Sequence, residues 1–247
     1  MKILFGTPFL IHKNMLIIGD THFGIEHHLR KSGFVVQDCA ERIAGNLLEI
    51  ARAWNVKKLL HLGDVKHTIG GCTHAEKKGI TRFFMTLKTH FDEIVVVKGN
   101  HDGGIENVLP DFVKITGSFR AGSTAFLHGH RYPGAQIKDC RKIVCGHMHP
   151  SLKFVDGLGK AKVQRCWLIA CVNAAFRKKF GLRNAKTLMV IPSANELVGM
   201  REINNPLLDG FMVSWRFMSK TRSEVYLTDG TFVGSGEQIF RVQDGRL

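Results

Sequence analysis

The sequence of 247 residues lacks several features that mark specialised protein classes. Its longest mostly apolar run, Trp167 to Phe176, has ten residues and includes an asparagine, whereas a membrane-spanning helix needs about 20. No small-residue cleavage site follows the apolar stretch at the start of the chain, so we interpret that stretch as a strand and not as a signal peptide. We see no internal repeat, low-complexity tract or linker. We therefore expect no membrane association and a cytoplasmic location.

The sequence also lacks any C-x-x-C pair, although it contains six cysteines. These are Cys39, Cys72, Cys140, Cys145, Cys166 and Cys171. With no secretory signal, a reducing compartment is expected, and the cysteines are predicted to be buried free thiols.

Acidic residues are scarce. The chain has 35 lysines and arginines against 21 aspartates and glutamates, which gives a net charge of +14. No acidic residue occurs from Gly157 to Asn195, and within this stretch Arg177, Lys178 and Lys179 are followed by Phe180. Such a balance favours anionic partners, because basic side chains contact phosphates and an aromatic ring can stack on a base. Two interpretations stay open: these three residues contact a nucleic-acid substrate, or they form an ordinary solvated surface.

What is present is typical of a globular protein, with 44% hydrophobic and 23% charged residues. Strand and helix patterns alternate over the first 150 residues or so. Apolar residues at helical spacing predict a helix over 37–54. A capping box at Thr73-His74-Ala75-Glu76 predicts the start of a second helix, which should run to about His90. From about residue 151 the pattern becomes strand-rich, with candidates that include 212–217 and 239–242. We predict an α/β fold with two sheets, the second and more antiparallel one supplied by residues 151–247. The whole chain is expected to form one domain, with Trp54 and Trp167 in its core.

Every buried strand of the first half ends in residues that can bind metal ions. The blocks are Asp20-Thr21-His22, Gly63-Asp64, Gly99-Asn100-His101-Asp102, His128-Gly129-His130 and Gly146-His147-Met148-His149. Sites in open α/β sheets form at the carboxyl ends of strands, so these blocks are predicted to meet. Imidazoles, carboxylates and an amide oxygen without thiolates favour Mn²⁺, Fe²⁺ or Zn²⁺. Seven ligands suit two ions that share a carboxylate, an arrangement that activates water and stabilises the oxygens in phosphoryl transfer.

The order and spacing of these five blocks resemble the calcineurin-like metallophosphoesterases, over about residues 14 to 150. The resemblance implies a two-sheet α/β sandwich flanked by helices, with a dinuclear metal site at one edge. It also implies the metal ligands. One metal would be held by Asp20, His22, Asp64 and His149, and the other by Asp64, Asn100, His128 and His147. The resemblance further implies that His101 acts on the leaving group and that Asp102 orients His101. We expect Mn²⁺, with Fe²⁺, Zn²⁺, Ni²⁺ and Co²⁺ as alternatives. His128 is chosen over His130 because it precedes glycine; His130 then lines the pocket or is structural.

The runs at 20–24 and 63–67 further resemble archaeal proteins related to the SbcD-type nuclease subunit of the double-strand-break repair complex. In those nucleases a histidine three residues after the shared aspartate lies near the site and the DNA, and His67 matches this position. The resemblance implies a metal-dependent phosphodiesterase, with DNA or RNA as the expected substrate. A phosphoesterase for nucleotides or small molecules is the alternative, because the same metals serve both reactions. A non-catalytic scaffold is a third hypothesis, disfavoured by the intact ligand blocks.

Overall fold

Two sheets carry the β-structure of the chain in a computed structural model, which describes residues 1–205 and 207–243. The chain divides into two units, each built on one sheet. The first unit comprises Met1–Leu4, Phe9–Gly117 and Ser193–Val198, and the second comprises Phe5–Pro8, Ser118–Pro192 and Gly199–Leu247. The α/β class with two sheets and flanking helices is therefore confirmed, whereas the single domain over residues 1–247 stays a prediction.

The sheet of the first unit has six strands in chain order. They are β1 (Lys2–Leu4), β2 (Phe9–His12), β3 (Met15–Ile18), β4 (Lys58–His61), β5 (Glu93–Val97) and β6 (Val113–Thr116). The first three pair antiparallel, and β3 to β6 pair parallel. Strands β3, β4 and β5 are almost continuously apolar and buried, as expected of parallel strands covered on both faces. Their carboxyl ends consequently lie along one edge of this sheet.

Three helices connect the strands of the first unit: α1 (Ile25–Lys31), α2 (Cys39–Ala53) and α3 (His74–Lys88). Helix α2 buries the apolar stripe that the sequence predicts, namely Ile43, Ala44, Leu47, Leu48 and Ala51. Helix α3 begins with the predicted capping box, in which Thr73 Oγ1 accepts the Glu76 amide and Glu76 accepts the Thr73 amide. The spacing of apolar residues and the cap therefore predicted both helices to within a few residues.

The second unit is built on a sheet of nine strands. They are β7 (Phe119–Ala121), β8 (Thr124–Leu127), β9 (Lys142–Cys145), β10 (Pro150–Val155), β11 (Ala161–Val172), β12 (Thr187–Val190), β13 (Arg201–Glu202), β14 (Met218–Leu227) and β15 (Phe232–Gly234). The order is β13-β10-β11-β12-β9-β8-β7, with β14 paired to both β11 and β15. Strands β8, β9 and β12 pair parallel, and the pairs of β11 are antiparallel. This sheet begins at Phe119, so it takes three strands from before residue 151, contrary to the prediction.

Two helices of the second unit were not predicted: α4 (Ala174–Phe180) and α5 (Gly236–Gln243). The predicted strand at 239–242 is wrong, because Ser235 and Gln238 exchange side-chain-to-amide hydrogen bonds and start a helix there. The predicted strand at 212–217 is also wrong, since this segment folds into turns closed by hydrogen bonds such as Gly210 N–H to Val213 O.

One core prediction also fails. Trp167 is fully buried, but Trp54 follows α2 at its exposed end and keeps 46% of its surface accessible. The ammonium group of Lys2 lies 3.8 Å from the centre of the Trp54 ring, so the indole packs against a cation and not against the core. Across the described residues, none of the helices is both long and apolar enough to cross a membrane.

Candidate metal centre

The predicted ligands of the first unit lie in the loops that follow three neighbouring parallel strands. Strands β3, β4 and β5 are in register, with Ile18 beside His61 and His61 beside Val96. The first two loops are joined by backbone hydrogen bonds from Asp20 N–H to Gly63 O (3.0 Å) and from His22 N–H to Asp64 O (2.9 Å). The side chains of Asp20, His22 and Asp64 are buried at this edge. Asn100, in the loop after β5, is exposed.

Backbone conformation singles out the same residues. Among the described residues, seven that are not glycine have a positive φ. Five of these seven are predicted metal ligands: Asp20 (56°), His22 (43°), Asp64 (53°), His147 (69°) and His149 (43°). The left-handed conformation is unfavourable for residues with a Cβ, and strain of this kind concentrates at functional sites. The local backbone of these loops is therefore held in place by surrounding contacts.

Asp64 is in contact with the other two loops of the first unit. Its Oδ2 lies 3.4 Å from His22 Nε2, and its Oδ1 accepts the His101 amide at 2.9 Å. Ring nitrogens of His22, His67 and His101 all lie within 4.8 Å of one another. The rings of His22 and His101 meet edge to face at 4.6 Å. The first unit thus concentrates carboxylate and imidazole groups around Asp64.

Asp102 has a backbone-positioning role in the structure. Its carboxylate is fully buried. Oδ2 accepts the amides of Asp64 and Gly99, both at 2.8 Å, and Oδ1 accepts the Val65 amide at 2.9 Å. One side chain therefore fixes the loop after β4 against the loop after β5, and so fixes the backbone of Asp64.

The orientation of His101 comes from a backbone group. Its Nδ1 lies 2.5 Å from the carbonyl oxygen of His67, and because a carbonyl only accepts, Nδ1 carries the proton. This leaves Nε2 as the ring nitrogen that carries the lone pair. Burial, and then the neighbouring rings of His101 and His28, lower the pKa of His67. The two predicted site residues are therefore in direct contact, because the ring of His101 is hydrogen-bonded to the backbone carbonyl of His67.

Three residues that hold these loops were not recognised in the sequence. Buried His61 accepts the Gly63 amide at Nδ1 (3.1 Å), so its Nε2 carries the proton and donates to Thr21 Oγ1 (3.0 Å). Buried Lys66 donates to the carbonyl oxygens of Thr68 and Ile69.

The third is Asn195, whose segment 193–198 belongs to the first unit. Its side-chain amide donates to the carbonyl oxygen of Thr21 at 2.8 Å, between the two predicted ligands Asp20 and His22. Its Oδ1 accepts the Leu197 amide at 3.0 Å and the Cys39 thiol at 3.3 Å. The buried side-chain amide of Asn195 forms hydrogen bonds through both its nitrogen and its oxygen, and it therefore supports the loop after β3. The large sequence separation explains why no local signal revealed it.

The second unit brings together its own histidines after two adjacent parallel strands, β8 and β9. His128 Nε2 and His147 Nδ1 lie 3.1 Å apart, and the His130 ring is 5.1 Å from that of His128. His149 Nδ1 contacts the carbonyl oxygen of Gly199 at 2.8 Å. The carbonyl fixes the tautomer of His149, so Nε2 is the atom with a lone pair.

The predicted substrate contacts of α4 differ from one another in the structure. Lys178 and Lys179 are exposed at the end of the helix. The Arg177 guanidinium instead donates to the carbonyl oxygens of Val172 (3.2 Å) and Ala185 (3.4 Å). Arg177 therefore helps to terminate β11 and to position the chain before β12, and its charge is partly used within the fold.

The donor sets fit hard or borderline divalent cations. Each unit supplies ligand atoms of the kind such ions prefer: buried carboxylates with imidazole in the first, and two imidazole nitrogens 3.1 Å apart in the second. The six cysteines are free. Burial raises the pKa of the Cys39 thiol to about 12 and also raises that of Cys166, so these two remain protonated at neutral pH.

Comparison with known proteins places the chain among phosphoesterases. The sequence profile of the calcineurin-like phosphoesterase family matches residues 13–167. No curated protein sequence matches the chain. Among solved structures, the nuclease MPE of Pseudomonas putida has a TM-score of 0.52 at 16% identity, covering 87% of this chain and 85% of that one. At this identity the likeness shows the fold.

Two further structures are similar at lower scores. The phosphoesterase Yfce of E. coli has a TM-score of 0.35 at 20% identity, covering 58% of this chain and 74% of that one. Vps29 of Entamoeba histolytica, solved with Zn²⁺, has a TM-score of 0.34 at 16% identity, covering 88% of this chain and 94% of that one.

The family match covers well over half of the chain and includes all five blocks from Asp20 to His149. The two-sheet α/β fold agrees with it. By sequence and by fold, the chain belongs to the calcineurin-like phosphoesterase family.

Proposed function

We propose that the chain is a phosphodiesterase that depends on two divalent metal ions and acts on nucleic acid. Family membership supports the hydrolase class. The observation that carries the nucleic-acid part is the distribution of charge between the two units. By sequence, the first unit holds 15 basic and 13 acidic residues, whereas the second holds 20 basic and 8 acidic residues. Nearly all of the excess positive charge thus belongs to the second unit, as expected if that unit attracts a polyanion.

The metal ligands follow the family's motif positions. Asp20, His22, Asp64 and His149 would hold one ion, and Asp64, Asn100, His128 and His147 would hold the other. When bound, such a pair of ions supplies Lewis-acid stabilisation of phosphate oxygens and activates a water molecule. We expect Mn²⁺, with Fe²⁺, Zn²⁺, Ni²⁺ and Co²⁺ as alternatives.

The residues of the first unit would act on the bound phosphate. Asp102 and Gly99 hold the backbone of Asp64 in its left-handed conformation, which keeps the shared ligand in place before metal arrives. His101 is oriented by the His67 carbonyl and presents Nε2, which in the protonated imidazole can donate a hydrogen bond or a proton to the leaving oxygen. His67 itself lies beside His101 and is proposed to contact the substrate near the scissile phosphate.

The likeness of the runs at 20–24 and 63–67 to SbcD-type nucleases supports a phosphodiester in DNA or RNA over a small phosphomonoester. The charge distribution favours the same substrate class. A small-molecule phosphoesterase and a non-catalytic scaffold are the outcomes that would replace this proposal.

The decisive experiment compares substrates on protein loaded with Mn²⁺. Elemental analysis should give about two ions per chain. We expect hydrolysis of a simple aryl phosphodiester and of labelled DNA or RNA, with weak activity on an aryl phosphomonoester. Activity confined to the monoester would favour a small-molecule enzyme. Absence of bound metal together with absence of activity would favour the hypothesis of a non-catalytic scaffold.

A variant pair separates catalysis from metal binding. His101→Ala should lower turnover of the aryl phosphodiester by about 10²–10⁴-fold at unchanged metal content. His74→Ala, at the exposed start of α3, is the matched control and should behave as wild type. Loss of metal from His101→Ala would show that His101 is a ligand and that its proposed role is wrong.

A further inference from the structure

We propose that an aromatic and cationic surface on the second unit binds single-stranded nucleic acid, through base stacking on Tyr132 and phosphate contact with Lys179. The inference rests on the proposed function and names the form of its substrate. We call this surface the Tyr132 platform and define it by Tyr132, Lys179, Phe180, Phe211, Arg216 and Phe217.

The platform has an exposed ring on a rigid base. Tyr132 is 60% exposed. Its ring meets that of Phe211 at 5.0 Å and 90°, and lies 5.8 Å from that of Phe180. Phe180 and Phe217 are buried and pack 5.6 Å apart. Because the buried rings fix Phe211 and so support Tyr132, little conformational entropy is lost when a base stacks on the exposed ring.

Positive charge is placed on the same cluster. The Lys179 ammonium lies 5.5 Å from the ring centres of Phe180 and Phe211, and 5.1 Å from that of Phe217. The Arg216 guanidinium lies 4.8 Å from the Phe217 ring, but it also pairs with the Asp209 carboxylate at 3.1 Å. Since Asp209 offsets the charge of Arg216, Lys179 is the residue assigned to a phosphate.

The position of Tyr132 in the chain connects the platform to the metal-binding loop. Tyr132 follows His128-Gly129-His130 in the loop after β8, and His128 is a proposed metal ligand. Arg131, next to Tyr132, is also exposed. A strand that places one phosphate at the ligands of this loop would therefore pass its neighbouring bases close to Tyr132.

A second aromatic cluster in the same unit provides the contrast. Tyr226 packs against Phe5 at 5.6 Å and Phe232 at 5.1 Å, and both phenylalanines are exposed. Its hydroxyl group donates to the Glu224 carboxylate at 3.0 Å, so an anion lies beside this cluster. Tyr132 and Tyr226 are the two tyrosines of the chain, and they differ in the sign of the neighbouring charge. A polyanion would select Tyr132.

Single strands are favoured over duplexes because the bases of a duplex are already stacked on each other. An exposed aromatic ring beside a cation can stack on any unpaired base, whatever its identity. We therefore expect binding with little sequence preference and with a steep dependence on salt. DNA and RNA share this chemistry, so oligonucleotides of both kinds distinguish them.

The test measures binding apart from cleavage. Fluorescence anisotropy with end-labelled ten-nucleotide oligo(dT) and oligo(U) is recorded on metal-free protein, with a labelled duplex for comparison. Tyr132→Ala should weaken single-strand binding about 5- to 150-fold, the range expected for losing one stacked base. Tyr132→Phe keeps the ring and should bind within about two-fold of wild type. Lys179→Ala should reduce the slope of log K against log salt by about 0.7.

Tyr226→Ala is the matched control and should bind as wild type. Equal binding by Tyr132→Ala and Tyr226→Ala would overturn the proposal, as would duplex binding with the same dependence on Tyr132. Hydrolysis of the aryl phosphodiester by the Mn²⁺-loaded protein is measured in parallel. Hydrolysis without single-strand binding would overturn the proposal for the Tyr132 platform and leave the proposed phosphodiesterase activity supported. Binding that depends on Tyr132 without any hydrolysis would support the Tyr132 platform and overturn the proposed function.

Discussion

Replacement of Gly99 by alanine would test the packing of the two loops that carry Asp64 and His101. An added Cβ at position 99 would lie 2.2 Å from Asp64 Oδ1 and 2.3 Å from the Asp64 backbone nitrogen. Ordinary contacts with such a Cβ begin at 3.4 Å, so one loop must move by about 1 Å. A side-chain oxygen can rotate away from the added atom, whereas a backbone nitrogen moves only with its loop.

The surrounding hydrogen bonds resist that movement. The amides of Gly99 and Asp64 both donate to Asp102 Oδ2 at 2.8 Å, so separating the two loops breaks at least one of these bonds. Overpacking costs about 1–3 kcal/mol, and a lost hydrogen bond adds about 1 kcal/mol. We expect Gly99→Ala to lower the free energy of unfolding by about 2–4 kcal/mol. For a chain of this size the melting temperature should fall by about 4–16 °C.

The matched control is Gly45→Ala. Gly45 lies on the exposed face of α2, and an added Cβ there has no atom within 4 Å. Alanine in a helix interior should raise the free energy of unfolding by about 0.5–1 kcal/mol. Both variants are followed by urea unfolding and by elemental analysis after Mn²⁺ loading. If Gly99→Ala unfolds at the wild-type urea concentration and retains its metal, the described contact between Gly99 and Asp64 does not restrain this site.

Three further changes test the residues that support the loops. Asp102→Asn turns an acceptor for three amides into a group with one acceptor atom, and should lower the free energy of unfolding by about 2–4 kcal/mol and reduce metal content in the same assays. Asn195→Ala removes the donor to the Thr21 carbonyl and should cost about 1–3 kcal/mol, with weaker metal retention; wild-type behaviour would show that the loop after β3 does not need this amide. Burial raises the pKa of Glu76, but hydrogen bonds from Thr73 and Thr68 outweigh the effect of burial and lower the pKa below the usual 4.5. The ionised Glu76 carboxylate therefore stabilises the fold above about pH 4.5, and this stabilisation is lost as the pH falls through the folded-state pKa. The difference in unfolding free energy between wild type and Glu76→Gln should therefore be largest near pH 7 and shrink in acid; a constant difference in pH-dependent urea unfolding would contradict this.

The sequence predicted those parts of the fold that depend on neighbouring residues. The apolar stripe of α2 and the capping box of α3 involve residues three or four positions apart, and both appear as expected. Strand ends that carry Asp20 and Asp64 were predicted for the same reason, because a short apolar run followed by glycine or aspartate is a local signal. The cap formed by Ser235 and Gln238 was an equally local signal for α5, but the short apolar run beside it resembled a strand.

The supports of the site were beyond such reasoning because their partners are distant in the chain. Asp102 was expected to orient His101, yet its carboxylate binds amides in the loop after β4. Asn195 reaches Thr21 across most of the chain length. Arg177 looked like a phosphate contact within a basic run, although two carbonyl groups bind its guanidinium. In each case the residue type indicated a polar role, and only the fold decides which group it meets.

The two units differ in what they contribute to the proposed activity. The first unit is nearly balanced in charge. Several of its polar side chains hold loops in place: Asp102, His61 and Asn195 each form hydrogen bonds with backbone groups next to a proposed ligand. Such preorganisation would serve the proposed chemical step, because ligands held in strained conformations need not rearrange when a metal binds. The second unit carries the charge excess together with exposed aromatic rings, which in the proposed function would attract a long anionic substrate and stack on its bases. A small phosphoester would gain from the first contribution and hardly at all from the second. The uneven charge is therefore an argument for the proposed polymeric substrate, since the hydrolytic reaction alone does not require it.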